Sequence, residues 1–192
     1  MKAIKLIIAT VVAGSLLSSE AAQGGGFWRR ALNEEAKEAL VAALAGPNGE
    51  YAAHAQYSAV LKKFGDVQPY ASIIKAEENH IAALKRQLDK YGIPIPTNRF
   101  EGSVAAPETL AAAAKEAVAS EERNAAMYDE ALKSVSGRPD IVRVFTRLRD
   151  ASRDAHLLAF KATLATGGKF EKGEAGCCGM GCCGRGNCRM LE

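Results

Sequence analysis

The chain is poor in histidine and tryptophan, has cysteine only near one end, and carries little excess of charge of one sign. It contains three histidines and one tryptophan in 192 residues. Its 25 basic and 22 acidic residues leave a net charge of +3, and no basic patch carries interleaved aromatics, so we expect no nucleic-acid binding. Cysteine is absent before residue 177, so the fold cannot depend on disulfide bonds. The length suits one domain with appendages.

The N-terminus has the pattern of a targeting segment. Lys2 and Lys5 flank the start of an apolar run over residues 6–17, and Ser19-Glu20-Ala21 fits the small-x-small pattern of a cleavage site. A membrane-spanning helix needs about 20 apolar residues, so we interpret residues 1–22 as a signal peptide rather than an anchor. The sequence thus predicts an exported protein, periplasmic or extracellular, with no stable membrane anchor after cleavage.

Apolar residues recur at helical spacing through the middle of the chain. We predict a short helix that begins after Asn33 and ends at the Gly46-Pro47-Asn48-Gly49 break. Four longer helices follow, over about residues 48–64, 69–91, 107–135 and 139–166. The connection between the second and third of these is longer than the roughly 2 to 8 residues usual in bundle hairpins. The chain is therefore predicted to be all-α, with a four-helix bundle over residues 27–166.

Polar residues interrupt the apolar faces of these helices. Glu77 and His80 lie three residues apart on one such face, where a polar pair needs a compensating partner. The polar positions at core spacing are Glu50, His54 and Tyr57 on the first long helix, Glu77 and His80 on the second, Glu121 and Tyr128 on the third, and His156 on the fourth. Carboxylates and histidines on inward faces are the ingredients of a metal site in a bundle core.

The spacing of these side chains has a chemical meaning. Residues at i and i+3 are neighbours on a helix surface, so Glu77 and His80 can reach one metal ion or two adjacent ions, while Glu50 and Glu121 could supply further carboxylates. Oxygen ligands combined with imidazole suit iron, manganese or zinc better than Cu(I). The competing explanation is that the carboxylates are neutralised by salt bridges to the arginines of the last helix, which are Arg147, Arg149 and Arg153.

Several motifs keep the order and spacing found in a known superfamily. A Glu-x6-Tyr pattern occurs at residues 50–57 and again at 121–128, and a Glu-x-x-His pattern occurs at 77–80. In these motifs the chain resembles the ferritin-like superfamily, which includes rubrerythrins and ferritins, and more closely a poorly characterised family of exported bacterial ferritin-like domains. The matching segments are 50–57, 64–69, 76–84, 90–94, 119–121, 124–129 and 151–160.

The resemblance implies a ferritin-like bundle with one long crossover connection and a di-iron-type site, with manganese or zinc as alternatives to iron. It implies an oxidoreductase of the ferroxidase or peroxidase type, which oxidises Fe(II) or reduces O2 or peroxide. The oligomeric state is left open, with a homodimer as one alternative. Tyr57 and Tyr128 are interpreted either as hydrogen-bond donors that orient the glutamates or as ordinary core aromatics. Carried over residue by residue, the resemblance assigns as metal ligands Glu50, Glu77, His80, Glu121 and His156.

One position departs from the family pattern. Where a glutamate is expected three residues before the last histidine, this chain has Arg153. Asp154 cannot simply take its place, because residues two apart in a helix lie about 200° apart around the axis. His54 is a candidate extra ligand, one turn after Glu50 on the same face. An inward Arg153 would favour a metal-free structural bundle, whereas an outward Arg153 leaves the metal hypothesis intact.

The C-terminal segment, residues 167–192, is rich in glycine and holds every cysteine. We interpret it as a flexible tail that begins at Gly167-Gly168, where the last helix ends. It lacks the paired Cys-x-x-Cys knuckles of a rubredoxin-type iron site. Thiolates favour soft ions, so the tail is a candidate Cu or Zn site in a non-catalytic sequestering protein; the alternative is an oxidised appendage with intermolecular disulfides. The tail cysteines are Cys177, Cys178, Cys182, Cys183 and Cys188.

Overall fold

The computed structural model describes residues 31–169, and within them the chain is all-helical, with no strand. The predicted signal peptide and the cysteine-rich segment lie outside the described residues. The helices are α1 (Glu34–Ala45), α2 (Glu50–Phe64), α3 (Tyr70–Lys90), α4 (Leu110–Ser134), α5 (Pro139–Ala151) and α6 (Leu157–Ala165). A π-helical segment, Ser152–His156, joins α5 to α6 without a break. No helix in residues 31–169 has the length and apolar content needed to cross a membrane.

Side-chain caps set two of the helix starts. Asn33 accepts a hydrogen bond from the Ala36 amide through its side chain at the start of α1, as its type and position predict. At α4 the cap is Thr109, whose hydroxyl oxygen accepts from the Ala112 amide over 3.1 Å. The helix therefore begins at Leu110 rather than at the Pro107 predicted from the sequence. A hydroxyl that satisfies one of the free amides of the first turn decides this boundary.

The turn between α1 and α2 depends on a close backbone approach. Gly49 is the N-cap of α2, and a Cβ atom added there would lie 2.5 Å from the Ala43 carbonyl oxygen of α1. Only glycine fits without moving the backbone, so α2 can start directly against the end of α1. This turn places Glu50, the first residue of α2, deep in the protein, where it is fully buried.

Two groups of buried apolar residues form the core, one on each side of a polar layer. α3 passes from the second cluster at Ile73 to the first cluster at Leu84, and α5 and α6 run from the first cluster to the second. The first cluster consists of Leu32, Ala36, Leu40, Ala43, Leu44, Tyr51, Leu84, Leu88, Tyr128, Ala131, Val135, Ile141, Phe145 and Leu148. The second consists of Ala53, Tyr57, Val60, Tyr70, Ile73, Ala113, Ala117, Ala159 and Phe160.

The polar layer lies mid-way along the helices. On α3, Glu77 lies between apolar residues of the two clusters, and on α4 Glu121 does the same. α3 and α4 both run from the second cluster toward the first, and the residues 91–109 that join them contain no helix. The bundle therefore holds its buried acids at mid-height, with apolar packing above and below.

The helix predicted over residues 139–166 runs from Pro139 to Ala165, but it contains one π-helical turn that the sequence did not predict. The Leu157 amide donates to the Ser152 carbonyl, which is an i→i+5 bond, so the helix widens between α5 and α6. Ser152 and His156 are both buried, at 1% and 4% exposed. Leu148 and Phe160, four residues to either side of them, are buried as well.

Candidate metal centre

Five of the sequence-predicted residues meet in the polar layer. Three glutamates and two histidines, two of them from α3 and one each from α2, α4 and the π segment, form two overlapping groups. The first group consists of Glu50, Glu77 and His80, and the second of Glu77, Glu121 and His156. Within each group one candidate ligand atom per residue lies within 4.8 Å of the others. Glu77 belongs to both groups, so the two share a carboxylate.

The first group, formed by α2 and α3, is centred on the His80 ring. His80 Nδ1 lies 3.1 Å from Glu77 Oε2 and 3.3 Å from Glu50 Oε2. The i, i+3 spacing of Glu77 and His80 produces their contact directly, because both side chains lie on one face of α3. Glu50 reaches them from the first turn of α2. The remaining carboxylate oxygen of Glu50 faces away from His80.

The second group joins α3 to α4 and to the end of the π segment. His156 Nδ1 lies 3.1 Å from Glu77 Oε1 and 3.6 Å from Glu121 Oε1. The two imidazole rings stack, with centroids 5.6 Å apart and an angle of 21° between their planes. Each oxygen of Glu77 therefore faces a different histidine: Oε2 faces His80, and Oε1 faces His156.

The two tyrosines each contact a glutamate on the opposite helix. Tyr57, seven residues after Glu50 on α2, donates to Glu121 on α4. Tyr128, seven residues after Glu121 on α4, donates to Glu50 over 2.5 Å. Both hydroxyls are fully buried, and these bonds hold the carboxylates in fixed orientations. The repeated Glu-x6-Tyr pattern of the sequence thus corresponds to a reciprocal pair of contacts.

Burial and mutual charge shift the pKa of the groups in the layer. Burial raises the pKa of Glu50 to about 7, and the charge of Glu77 adds to the rise. Burial acts on Glu77 in the same sense, but hydrogen bonds with Glu50, His156 and His80 outweigh it and hold the pKa of Glu77 well below its usual value. Burial opposes charge on the histidines, yet the carboxylates raise the pKa of His80 well above its usual value and that of His156 to about 10. Positive charge is therefore stabilised between these carboxylates.

The donor set fits a divalent metal ion. His156 Nδ1 is buried and lies close to Glu77, but it makes no hydrogen bond of acceptable geometry. Such a nitrogen is costly to bury, and a cation bound between it and the carboxylates would satisfy it. Carboxylate oxygens with imidazole nitrogens are a set that iron, manganese and zinc accept. A cation here would also offset the desolvation of three buried carboxylates.

Arg153 points away from the layer. Its side chain is 44% exposed and pairs with Asp150 at 3.2 Å and with Asp154 at 3.3 Å. Among the described residues, every ion pair found for the three buried glutamates involves a histidine and none involves an arginine. The outward position leaves the metal hypothesis intact, and the π segment explains it, because the buried residues of that turn are Ser152 and His156.

His54 is not brought into either group. Its ring nitrogens lie 3.5 Å from the Ser58 hydroxyl and 3.8 Å from a carboxylate oxygen of Glu78, which is exposed. It lines an open surface cavity of about 650 Å³ between α2 and the segment at residues 98–106. His54 lies one turn after Glu50 on the same helix, but its side chain is directed toward solvent rather than toward the polar layer.

Two buried polar residues near the layer have no assigned role in the sequence reasoning. Asn124 is 3% exposed and contacts Glu50, and Ser152 is 1% exposed and contacts Asn124. A signal was present for Asn124, which lies one turn after Glu121 and four residues before Tyr128 on the same helix face. The inward position of Ser152 was also marked, because it lies at core spacing on the last helix, four residues after Leu148 and four before His156.

Comparison with known proteins shows the fold and no more. No protein-family model matches the chain, and no curated protein matches it. The crystal structure of a hypothetical protein from Methanococcus jannaschii is similar, with a TM-score of 0.63 and 24% sequence identity. The match covers 74% of this chain and 86% of that protein. The chain therefore shares an all-helical fold with that protein, and the ferritin-like assignment stays a prediction.

Proposed function

We propose that this protein binds two adjacent divalent metal ions in the polar layer of its bundle. Glu50, Glu77 and His80 would hold one ion, and Glu77, Glu121 and His156 the other. The observation that carries the proposal is the position of Glu77, whose two oxygens face different histidines at 3.1 Å each. A carboxylate shared in this way is suited to bridging two ions.

The ligand atoms of the site are suited to iron, manganese or zinc. Three carboxylates and two neutral imidazoles offer oxygen and nitrogen ligands without a thiolate. Metal binding requires neutral imidazoles, so the bound ions would replace the protons that the cluster favours on His80 and His156. The apolar clusters above and below limit the entry of water, which strengthens each charge interaction inside.

We further propose Fe(II) as a substrate, with O2 or peroxide as the electron acceptor. With hydrogen peroxide, two Fe(II) ions each give one electron, the O–O bond breaks, and two protons are taken up to form two molecules of water. The role of the chain would be to hold both ions through its ligand groups, with Glu77 as the shared carboxylate and with Tyr57 and Tyr128 keeping Glu121 and Glu50 oriented. The support for this reaction is the pairing of two similar ligand groups around one carboxylate.

The test is an anaerobic Fe(II) titration of the protein, followed by addition of O2 or peroxide and measurement of bound metal. We expect about two ions per chain and oxidation that the absorbance of Fe(III) reports. Glu77→Gln keeps the shape of the side chain but removes its charge, so uptake and oxidation should both fall. Glu78→Gln is the matched control, since Glu78 is the exposed neighbour on α3. Equal behaviour of the two variants would refute the proposal.

A second candidate function depends on the tail. Five cysteines between Cys177 and Cys188 could bind Cu or Zn in a sequestering protein. A version of the chain that ends at Gly168 separates the two functions. If metal uptake disappears with the tail and survives Glu77→Gln, the tail is the binding site. If neither the full chain nor the shortened chain takes up metal in stoichiometric amounts, the bundle is a metal-free scaffold.

A further inference from the structure

Asn124 is a buried amide that joins three parts of the protein at the metal centre. Its Nδ2 donates to the Asn48 carbonyl over 3.0 Å and lies 3.3 Å from Glu50 Oε1. Its Oδ1 accepts from the Ser152 hydroxyl over 2.8 Å. The partners fix the orientation of the amide, because a carbonyl and a carboxylate both accept, so the NH2 group must face them. Asn124 thus links the start of α2, the carboxylate of Glu50 and the π segment.

Asn124 bonds to one oxygen of the Glu50 carboxylate and leaves the other oxygen available to a metal ion. Oε1 accepts from both Tyr128 and Asn124, while Oε2 faces His80. Glu121 is held differently. The Glu121 oxygen that accepts from Tyr57 is also the one that lies near His156. Glu50 is therefore fixed by two donors, whereas Glu121 has a hydrogen bond only from Tyr57 among the described residues.

The other end of the amide acts on the second group through the backbone. Ser152 is the first residue of the π segment and His156 is its last. The hydrogen bond from Ser152 to Asn124 ties the beginning of this wide turn to α4. An i→i+5 turn is rare and occurs mostly as a single turn inside an α-helix, so an anchor at its first residue fixes how far His156 extends toward Glu77.

We propose that Asn124 and Ser152 are positioning residues that set the two metal positions separately. The amide of Asn124 orients Glu50 for the first position. The bond between Ser152 and Asn124 holds the π segment and so orients His156 for the second. This inference rests on the proposed metal binding, and it adds that one buried amide controls one position directly and the other through the turn.

The experiment measures Co(II) binding, by its visible absorbance, in variants that keep only one position. His156→Ala retains the first position, and His80→Ala retains the second. Ser152→Ala removes one oxygen atom and should weaken Co(II) binding about 10-fold to 100-fold in the His80→Ala protein, with little change in the His156→Ala protein. Asn124→Leu should weaken binding by a similar factor in both. Ser152→Thr, which keeps the hydroxyl, should restore the affinity.

The pattern of the Ser152 variants across the two backgrounds distinguishes positioning from general loosening of the fold. A structural role alone would lower affinity equally in both backgrounds, and that result for Ser152→Ala overturns the inference, as does unchanged affinity in both. Thermal unfolding of each metal-free variant shows whether the protein remains folded. If the wild-type chain binds two ions but Ser152→Ala has no selective effect, only this inference fails; if the wild-type chain binds none, the proposed function fails as well.

Discussion

Tyr128 of α4 donates a hydrogen bond to Glu50 of α2, across the core of the bundle and over 2.5 Å. In the reverse contact, Tyr57 of α2 donates to Glu121 of α4, so each helix supplies one tyrosine and one glutamate. Because both hydroxyls are buried, neither glutamate can exchange its tyrosine for water without a change in packing. The two outer carboxylates of the centre are therefore held by each other's helices.

Removal of either tyrosine hydroxyl should weaken metal binding while the fold persists. Tyr128→Phe leaves a buried carboxylate oxygen with one donor fewer, so we expect metal affinity to fall about 10-fold to 100-fold. The cost in stability should be about 1 to 3 kcal/mol. Isothermal titration with Co(II) and urea unfolding measure the two effects. Tyr91→Phe is the control, because its hydroxyl donates to Asp140, and neither residue belongs to a ligand group; an equal loss of affinity in that variant would argue against orientation as the cause.

The number of bound ions should depend on which glutamate is altered. Glu121→Gln removes a ligand from the second group only, so we expect about one ion per chain, whereas Glu77→Gln removes a ligand from both groups and should bind none tightly. Glu122→Gln is the matched control for Glu121→Gln, because Glu122 is an exposed neighbour that pairs with Lys161. Metal analysis after gel filtration gives the counts. Two ions retained by Glu121→Gln would contradict the assignment of the second group.

Arg153 should be dispensable for metal binding despite its place in the sequence motif. Arg153→Glu supplies the residue that the family resemblance expects, but the side chain at this position points to solvent. We therefore expect no additional bound ion and no gain in affinity for the centre. Stability should fall by less than about 1 kcal/mol, as exposed ion pairs with Asp150 and Asp154 are replaced by repulsion. Metal titration of Arg153→Glu beside Arg153→Ala tests this, and tighter binding by the glutamate variant would mean that the position faces inward.

Acid should weaken the contact between the end of α3 and the start of α5. Burial alone would raise the pKa of Asp140, but hydrogen bonds from Lys90 and Tyr91 outweigh it and lower that pKa below its usual 3.8. A carboxyl group with a lowered pKa in the folded state stabilises the protein above its unfolded pKa, and that contribution is lost as the pH falls through the folded value.

Asp140→Asn should therefore be less stable than the wild-type chain at pH 7, by about 1 kcal/mol or less, and the difference should shrink below about pH 4. Urea unfolding of both metal-free proteins at pH 7 and pH 3 measures it. Lys90→Met should remove part of the same pH dependence, because Tyr91 still donates to Asp140. A difference between wild type and Asp140→Asn that is as large at pH 3 as at pH 7 would assign the effect to something other than this carboxylate.

The approximate positions of the helices, and the faces that carry the five ligand candidates, follow from spacing in the sequence. Glu77 and His80 lie on one helix face whatever surrounds them, so their contact was predictable. The partners of Tyr57 and Tyr128 were not, because a hydrogen bond between helices depends on how each helix is rotated about its axis. The π segment was hidden for a related reason: apolar periodicity near 3.6 residues looks the same on either side of a single wide turn. Ser152 lies at core spacing in any case, but the outward position of Arg153 could not be read from the sequence.

The division of the core into two apolar clusters with the acids between them separates the requirements of folding from those of chemistry. Leu40 in the first cluster and Ala113 in the second are buried, and neither belongs to the ligand groups. Substitutions among such residues change how firmly the bundle holds together while leaving the donor atoms unaltered. Apart from the two tyrosines, either apolar cluster can therefore diverge at such positions, or be redesigned for heat resistance, under selection that does not act on the polar layer.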